Sequence, residues 1–188
     1  TSTTSSFTGL RFTNVAIPPG STIYQAYVEV YEPSDAWIGI GYQSYAENSG
    51  NSAAFSSSNR PSARSSTNSI TWVTNNTHWL ANSWQKLDPV SASVQEVVNR
   101  PDWQSGNAIS VITRGTGSQF ARKYIRSYEG NAAQAPRLIV SFAPEAAPSP
   151  SPTPVPTVSP TPIATTSPSP SVSPSVSPSA TLEPSVTP

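Results

Sequence analysis

Fourteen of the chain's twenty-one prolines fall in its last 45 residues, and this asymmetry decides which part of the sequence can fold. The same stretch holds no Trp, Tyr or Phe, because every aromatic lies at or before Phe142. A segment without large apolar side chains cannot bury enough surface to offset its ordering entropy. Its repeats, such as Ser149-Pro150-Ser151-Pro152 and Ser167-Pro168-Ser169-Pro170, favour polyproline II, which has no internal hydrogen bonds. Residues 144–188 are therefore expected to form a disordered Pro/Ser/Thr-rich tail that acts as a stalk, roughly 140 Å long if fully extended. Its Ser and Thr are candidate O-glycan acceptors. The chain opens on Thr1 with no basic-then-apolar leader, so it reads as a processed or partial chain with other domains of a longer parent protein beyond it.

Residues 1–143 have the length of one domain with its own core. Residues 22–31 alternate, Ala26, Val28 and Val30 against Tyr27, Glu29 and Tyr31, and residues 37–45 alternate likewise. Glu32-Pro33-Ser34-Asp35 between them is a turn signal, so the two are expected to pair as a hairpin. Further strands are expected at Phe7–Thr13, Ser69–Thr74, Asn107–Arg114, Arg122–Tyr128 and Arg137–Phe142. In Asp88–Arg100 the positions Val90, Val94, Val97 and Val98 share one helical face, and Ser93 with Glu96 has capping-box spacing. Residues 46–68, polar and rich in Ser and Asn, read as a surface loop. The expected fold is all-β: an antiparallel jelly-roll-type β-sandwich with one short helix, followed by the tail.

Ten Lys+Arg balance ten Asp+Glu, which gives no electrostatic footprint for nucleic acid. No apolar run is long enough to span a bilayer, so no membrane insertion is expected in this chain. With no Cys and one His, thiol catalysis and Cys-rich metal sites are excluded. No cofactor is expected; a structural calcium held by loop Asp and backbone carbonyls stays open, without an EF-hand-like run.

Sugars present C–H faces that stack on aromatic rings, and hydroxyls that want planar polar partners. Two candidate binding stripes meet that chemistry. On the expected hairpin, Tyr27, Glu29 and Tyr31 face the same way as Trp37, whose neighbours Gly39 and Gly41 leave an open shelf. Along 122–128, Arg122, Tyr124, Arg126 and Tyr128 alternate guanidinium with phenol, a surface suited to an acidic or uronate-rich polysaccharide. Trp72 and Trp103 are expected in the core, and Trp79 and Trp84 at a loop rim. His78 sits in a polar loop without a triad or metal partner, and no catalytic motif occurs. The domain's eight carboxylates keep a glycoside hydrolase open, since that chemistry needs only two at a suitable distance.

Several runs together resemble DNRLRE-type domains, which are related to disaggregatase repeats and similar to carbohydrate-binding modules. They are Thr8-Gly9-Leu10-Arg11-Phe12, Ile17-Pro18-Pro19-Gly20 with Ile23, Ala53-Ala54-Phe55, Val94 to Trp103, Ser127-Tyr128-Glu129-Gly130 and Ala135 to Val140. The run Val94-Gln95-Glu96-Val97-Val98-Asn99-Arg100-Pro101-Asp102-Trp103 is the most specific. The resemblance spans roughly residues 7–142 and implies a jelly-roll module of a large secreted or surface protein. It departs at Glu129, where the family commonly has Asp, and before Thr8, where the family carries an acidic segment and this copy lacks its first strand or strands. The expectation is a non-catalytic, extracellular or cell-surface polysaccharide-binding module. A purely structural spacer or adhesin unit is the alternative, and a polysaccharide hydrolase or lyase the third.

Overall fold

The computed structural model describes residues 5–117 and 120–145; the expected stalk falls almost wholly outside the described residues. Seven strands run β1 (Phe7–Phe12), β2 (Thr22–Glu32), β3 (Ile40–Ala46), β4 (Thr71–Asn75), β5 (Ser83–Lys86), β6 (Ile109–Gly115) and β7 (Arg137–Ala143), with helix α1 (Ser91–Val98) between β5 and β6. They form a four-stranded sheet, β1-β6-β3-β4, and a three-stranded sheet, β5-β2-β7, antiparallel throughout. The fold is the expected antiparallel β-sandwich with one short helix.

Alternation along β2 explains how the sheets close on each other. Ala26, Val28 and Val30 point inward and are buried with Val111 and Ile109 of β6, Ala46 of β3 and the valine face of α1. Trp103 joins them, its indole Nε1 donating to Ile17 O (3.0 Å), so it is core as expected.

The 22–31/37–45 hairpin does not form. β2 pairs with β5 and β7 and lies in the three-stranded sheet, whereas β3 pairs with β4 and β6 in the other. The turn signal was real but it directs the chain elsewhere. Pro33 cannot donate to a ladder, and the buried Glu32 carboxylate takes both Ser34 N (3.2 Å) and Ser34 Oγ (3.3 Å). Residues 33–39 then cross to the opposite sheet, pairing on the way with the β4–β5 connector through an Ala36–Trp79 bridge. That bridge buries Trp79 in the core, which corrects its placement at a rim. Trp72 is corrected the other way: it lies on the outer side of edge strand β4 and is 71% exposed.

Residues 122–128 are not a strand, although their alternation holds. Lys123 and Ile125 turn inward while Arg122, Tyr124, Arg126 and Tyr128 are exposed. Arg126 N donates to Tyr31 O (2.9 Å), which sets this extended segment beside the end of β2, past the point where β7 stops.

The long connector 47–70 is a roof, not a free loop. It lies on the outer face of the four-stranded sheet, where Ser110, Ile112, Tyr45 and Gln43 are buried. Arg64 Nη1 grips Glu47 at 2.7 and 2.6 Å, Nη2 bonds Ala53 O and Ala54 O, and the guanidinium stands 4.7 Å from the Phe55 ring. Phe55 and Pro61 rest on Gly9; a Cβ there would lie 2.5 Å from Phe55 Cζ, so the strand must be bare at that point. The proposed Ser93/Glu96 capping box is used for the roof instead. Ser93 Oγ donates to Ser69 O (2.6 Å), and Glu96 accepts from Asn68 N (2.8 Å) and Ser69 N (2.7 Å).

Candidate functional site

With one sheet roofed, the outer face of β5-β2-β7 is the broad sheet surface left open. Tyr27, Glu29 and Tyr31 all lie on it, because the core takes their neighbours. Register brings further residues beside them: Trp84 opposite Tyr31, Lys86 and Arg137 on either side of Glu29, and Ile139 opposite Tyr27. None of these side chains is buried.

The platform is ordered by ring contacts. Tyr31 and Trp84 meet edge-to-face, centroids 5.4 Å apart at 80°. Arg137 Cζ lies 4.0 Å from the Trp84 centroid, and Lys86 Nζ 3.9 Å from that of Tyr27. Such contacts are worth roughly 0.5–1 kcal/mol each at exposed sites. They hold three rings and two cations across one face, with Glu29 as the carboxylate between Lys86 and Arg137.

Trp37 is not part of this face. It projects from the β2–β3 connector at the end of the sandwich, 74% exposed, and stacks on His78 with centroids 3.4 Å apart and planes 14° from parallel. The expected shelf with Tyr27, Glu29 and Tyr31 is therefore split, since it depended on the hairpin. Arg122, Tyr124 and Arg126 sit between the two regions: outward-facing, anchored beside Tyr31, and linked to the Trp37 connector by Lys123, whose Nζ donates to Ala36 O (3.1 Å) and Thr77 O (2.6 Å).

No protein-family model matches this chain, and no curated protein matches it.

Most of the carboxylates are spoken for elsewhere. Glu47 pairs with Arg64, Asp102 with Arg100, and Asp35 accepts from Ala81 N while standing 3.8 Å from His78 Nε2. Asp88 accepts from the Tyr42 hydroxyl (3.2 Å); burial and then the Asp88 charge push that phenol above its ordinary pKa. A cavity of about 250 Å³ is walled by Leu10, Val30 and Trp79 together with Arg122, Lys123 and Tyr124 of the β6–β7 connector, and no carboxylate lines it. Among the described residues no group of three or more His, Asp or Glu comes together to hold a metal, and no helix is long and apolar enough to cross a membrane.

Lys86 and Arg137 were not singled out from the sequence, and Trp84, expected at a loop rim, lies in strand β5. The signal was Trp84 and Lys86 alternating with Ser83 and Gln85, but four residues are too few for periodicity to separate from chance.

Proposed function

We propose that this chain is a non-catalytic, extracellular polysaccharide-binding module of DNRLRE type, part of a larger surface or secreted protein and carried on its Pro-rich stalk. One observation carries the reading: one sheet is roofed by residues 47–70, and the outer face of the other carries half-buried Tyr27 and Tyr31 beside exposed Trp84, with Lys86 set against the Tyr27 ring and Arg137 against the Trp84 ring. Rings on two neighbouring strands, Tyr31 and Trp84 set edge-to-face, offer apolar surface to the C–H faces of sugars. Lys86 and Arg137, with Arg122 and Arg126 beside the sheet, outnumber Glu29, so uronate-rich chains are the favoured ligand class. The binding would then weaken as salt screens those charges.

Affinity electrophoresis of the full chain through gels containing polygalacturonate, alginate or a neutral β-glucan tests this. Retardation by an acidic polymer is expected, with Tyr31→Ala and Trp84→Ala each weakening it by roughly three- to tenfold. Absence of retardation in every gel refutes it.

The spacer reading has one observation in its favour. Lys86 and Arg137 already occupy the faces of Tyr27 and Trp84, so the platform is satisfied without a ligand. On that reading Tyr31→Ala lowers the melting temperature and changes no binding.

A further inference from the structure

Three segments meet at one side-chain nitrogen. Lys123 Nζ reaches a carbonyl of the β2–β3 connector, Ala36 O, and a carbonyl of the β4–β5 connector, Thr77 O, while belonging itself to the β6–β7 connector. Beneath it is the face of Trp79, with the ring centroid 4.7 Å away. Burial pushes the Lys123 ammonium below its ordinary pKa, and the negative charge of the fully buried Glu32 carboxylate, whose Oε2 has no hydrogen-bond partner among the described residues, offsets part of this. Two backbone carbonyls above an aromatic face are surroundings in which proteins hold a cation.

We propose that Lys123 is an internal cation filling this place, and that it is the positioning residue for Arg122, Tyr124 and Arg126. Residues 121–127 belong to no strand ladder, so their outward alternation depends on inward anchors. Lys123 is the polar anchor, Ile125 the apolar one, and Arg126 N to Tyr31 O the backbone one. The ammonium also joins the connectors at Ala36, whose N and O both pair with Trp79. The positioning half rests on the polysaccharide reading; the cation half does not.

Amide exchange in the full chain tests the cation half without any glycan. In Lys123→Ala the amides of Ala36, Trp79 and Arg126 are expected to exchange about tenfold faster or more. Ethylammonium, which carries N–H donors on a short stem, is expected to restore protection; tetramethylammonium at equal ionic strength, which has none, is not. Lys123→Met, which keeps the stem and lacks the charge, is expected to exchange as fast as the alanine variant and to resist rescue. Unchanged exchange in both variants, or equal rescue by tetramethylammonium, overturns the cation role. Undiminished retardation of Lys123→Ala by an acidic polymer that retards the wild type, with exchange quickened, overturns the positioning role. A wild type that no polymer retards instead refutes the polysaccharide reading.

Discussion

Replacing Glu47 with Gln should unseat the roof over the four-stranded sheet. The Arg64 side chain is 4% exposed and that of Glu47 11%, and a single nitrogen, Nη1, bonds both carboxylate oxygens. Ser52 Oγ donates to the same carboxylate and bonds Ser110 Oγ (2.5 Å), so the charge pair also ties the roof to β6. Among the described residues Arg64 Nε has no hydrogen-bond partner, and without Glu47's charge the guanidinium would keep Ala53 O, Ala54 O, Asn59 O, Ser52 Oγ and the Phe55 ring. Removing one member of a buried pair costs about 3–5 kcal/mol. Glutamine keeps one acceptor, which places the expected loss at the lower end, about 3 kcal/mol, or roughly 10 °C in midpoint for a domain of this size. Chemical and thermal denaturation measure it, and a dye that binds apolar surface should report newly exposed Ile112 and Tyr45. Glu47→Leu with Arg64→Met removes both charges and should recover most of the loss. A Glu47→Gln midpoint within about 0.5 kcal/mol of wild type, or a double variant as unstable as the sum of its parts, refutes the argument.

Gly9→Ala attacks the same roof from below, pushing Phe55 and Pro61 off β1; overpacking of this kind costs about 1–3 kcal/mol, read from the urea midpoint. Trp103→Phe leaves Ile17 O without its indole donor and should cost about 1–3 kcal/mol beyond any packing loss, by the same measurement. Glu96 titrates with the fold. Burial pushes its carboxyl up, but hydrogen bonds from Ser69 and Asn68 outweigh this and hold it below its ordinary pKa. Its stabilisation is therefore complete above the ordinary glutamate value and disappears as pH falls through the depressed one. Denaturant midpoints taken down through the acid range should fall more steeply for wild type than for Glu96→Gln, and parallel curves would contradict this.

The sandwich was legible because the strongest pattern, β2, reports its own environment. Strict alternation from Ala26 to Glu32 requires one buried and one open face whatever the partners are. Partnership was not legible. The sequence between β2 and β3 carries turn chemistry, and turn chemistry is the same whether a chain folds back on its neighbour or crosses to the opposite sheet. What separates the two is the Ala36–Trp79 bridge, a contact between residues 43 positions apart. The tryptophans failed for a related reason: Trp72 and Trp79 both sit in apolar-polar surroundings, and exposure was decided by long-range pairing, which leaves Trp72 on the outer side of edge strand β4 and carries Trp79 into the core beside Ala36.

The run from Val94 to Trp103 shows why a specific motif need not mark a site. Its valines fill the core, Gln95 Oε1 accepts from Ile23 N (2.7 Å), and Glu96 holds the roof. Arg100 bonds Asp102 through Nε and Nη2 and reaches Asn48 Oδ1, while Trp103 closes on Ile17 O. Those partners come from four separated stretches of chain, so the run is specific because it assembles the domain. Residues that would meet a ligand are under no such constraint. Tyr31 needs Trp84, and Tyr27 needs Lys86, only across a sheet register that no local pattern encodes. It follows that substitutions in the Val94–Trp103 run should lower stability and leave polymer retardation per folded molecule unchanged, whereas Trp84→Ala should do the reverse. A Trp84→Ala variant that loses stability and keeps wild-type retardation would move this surface from binding to architecture.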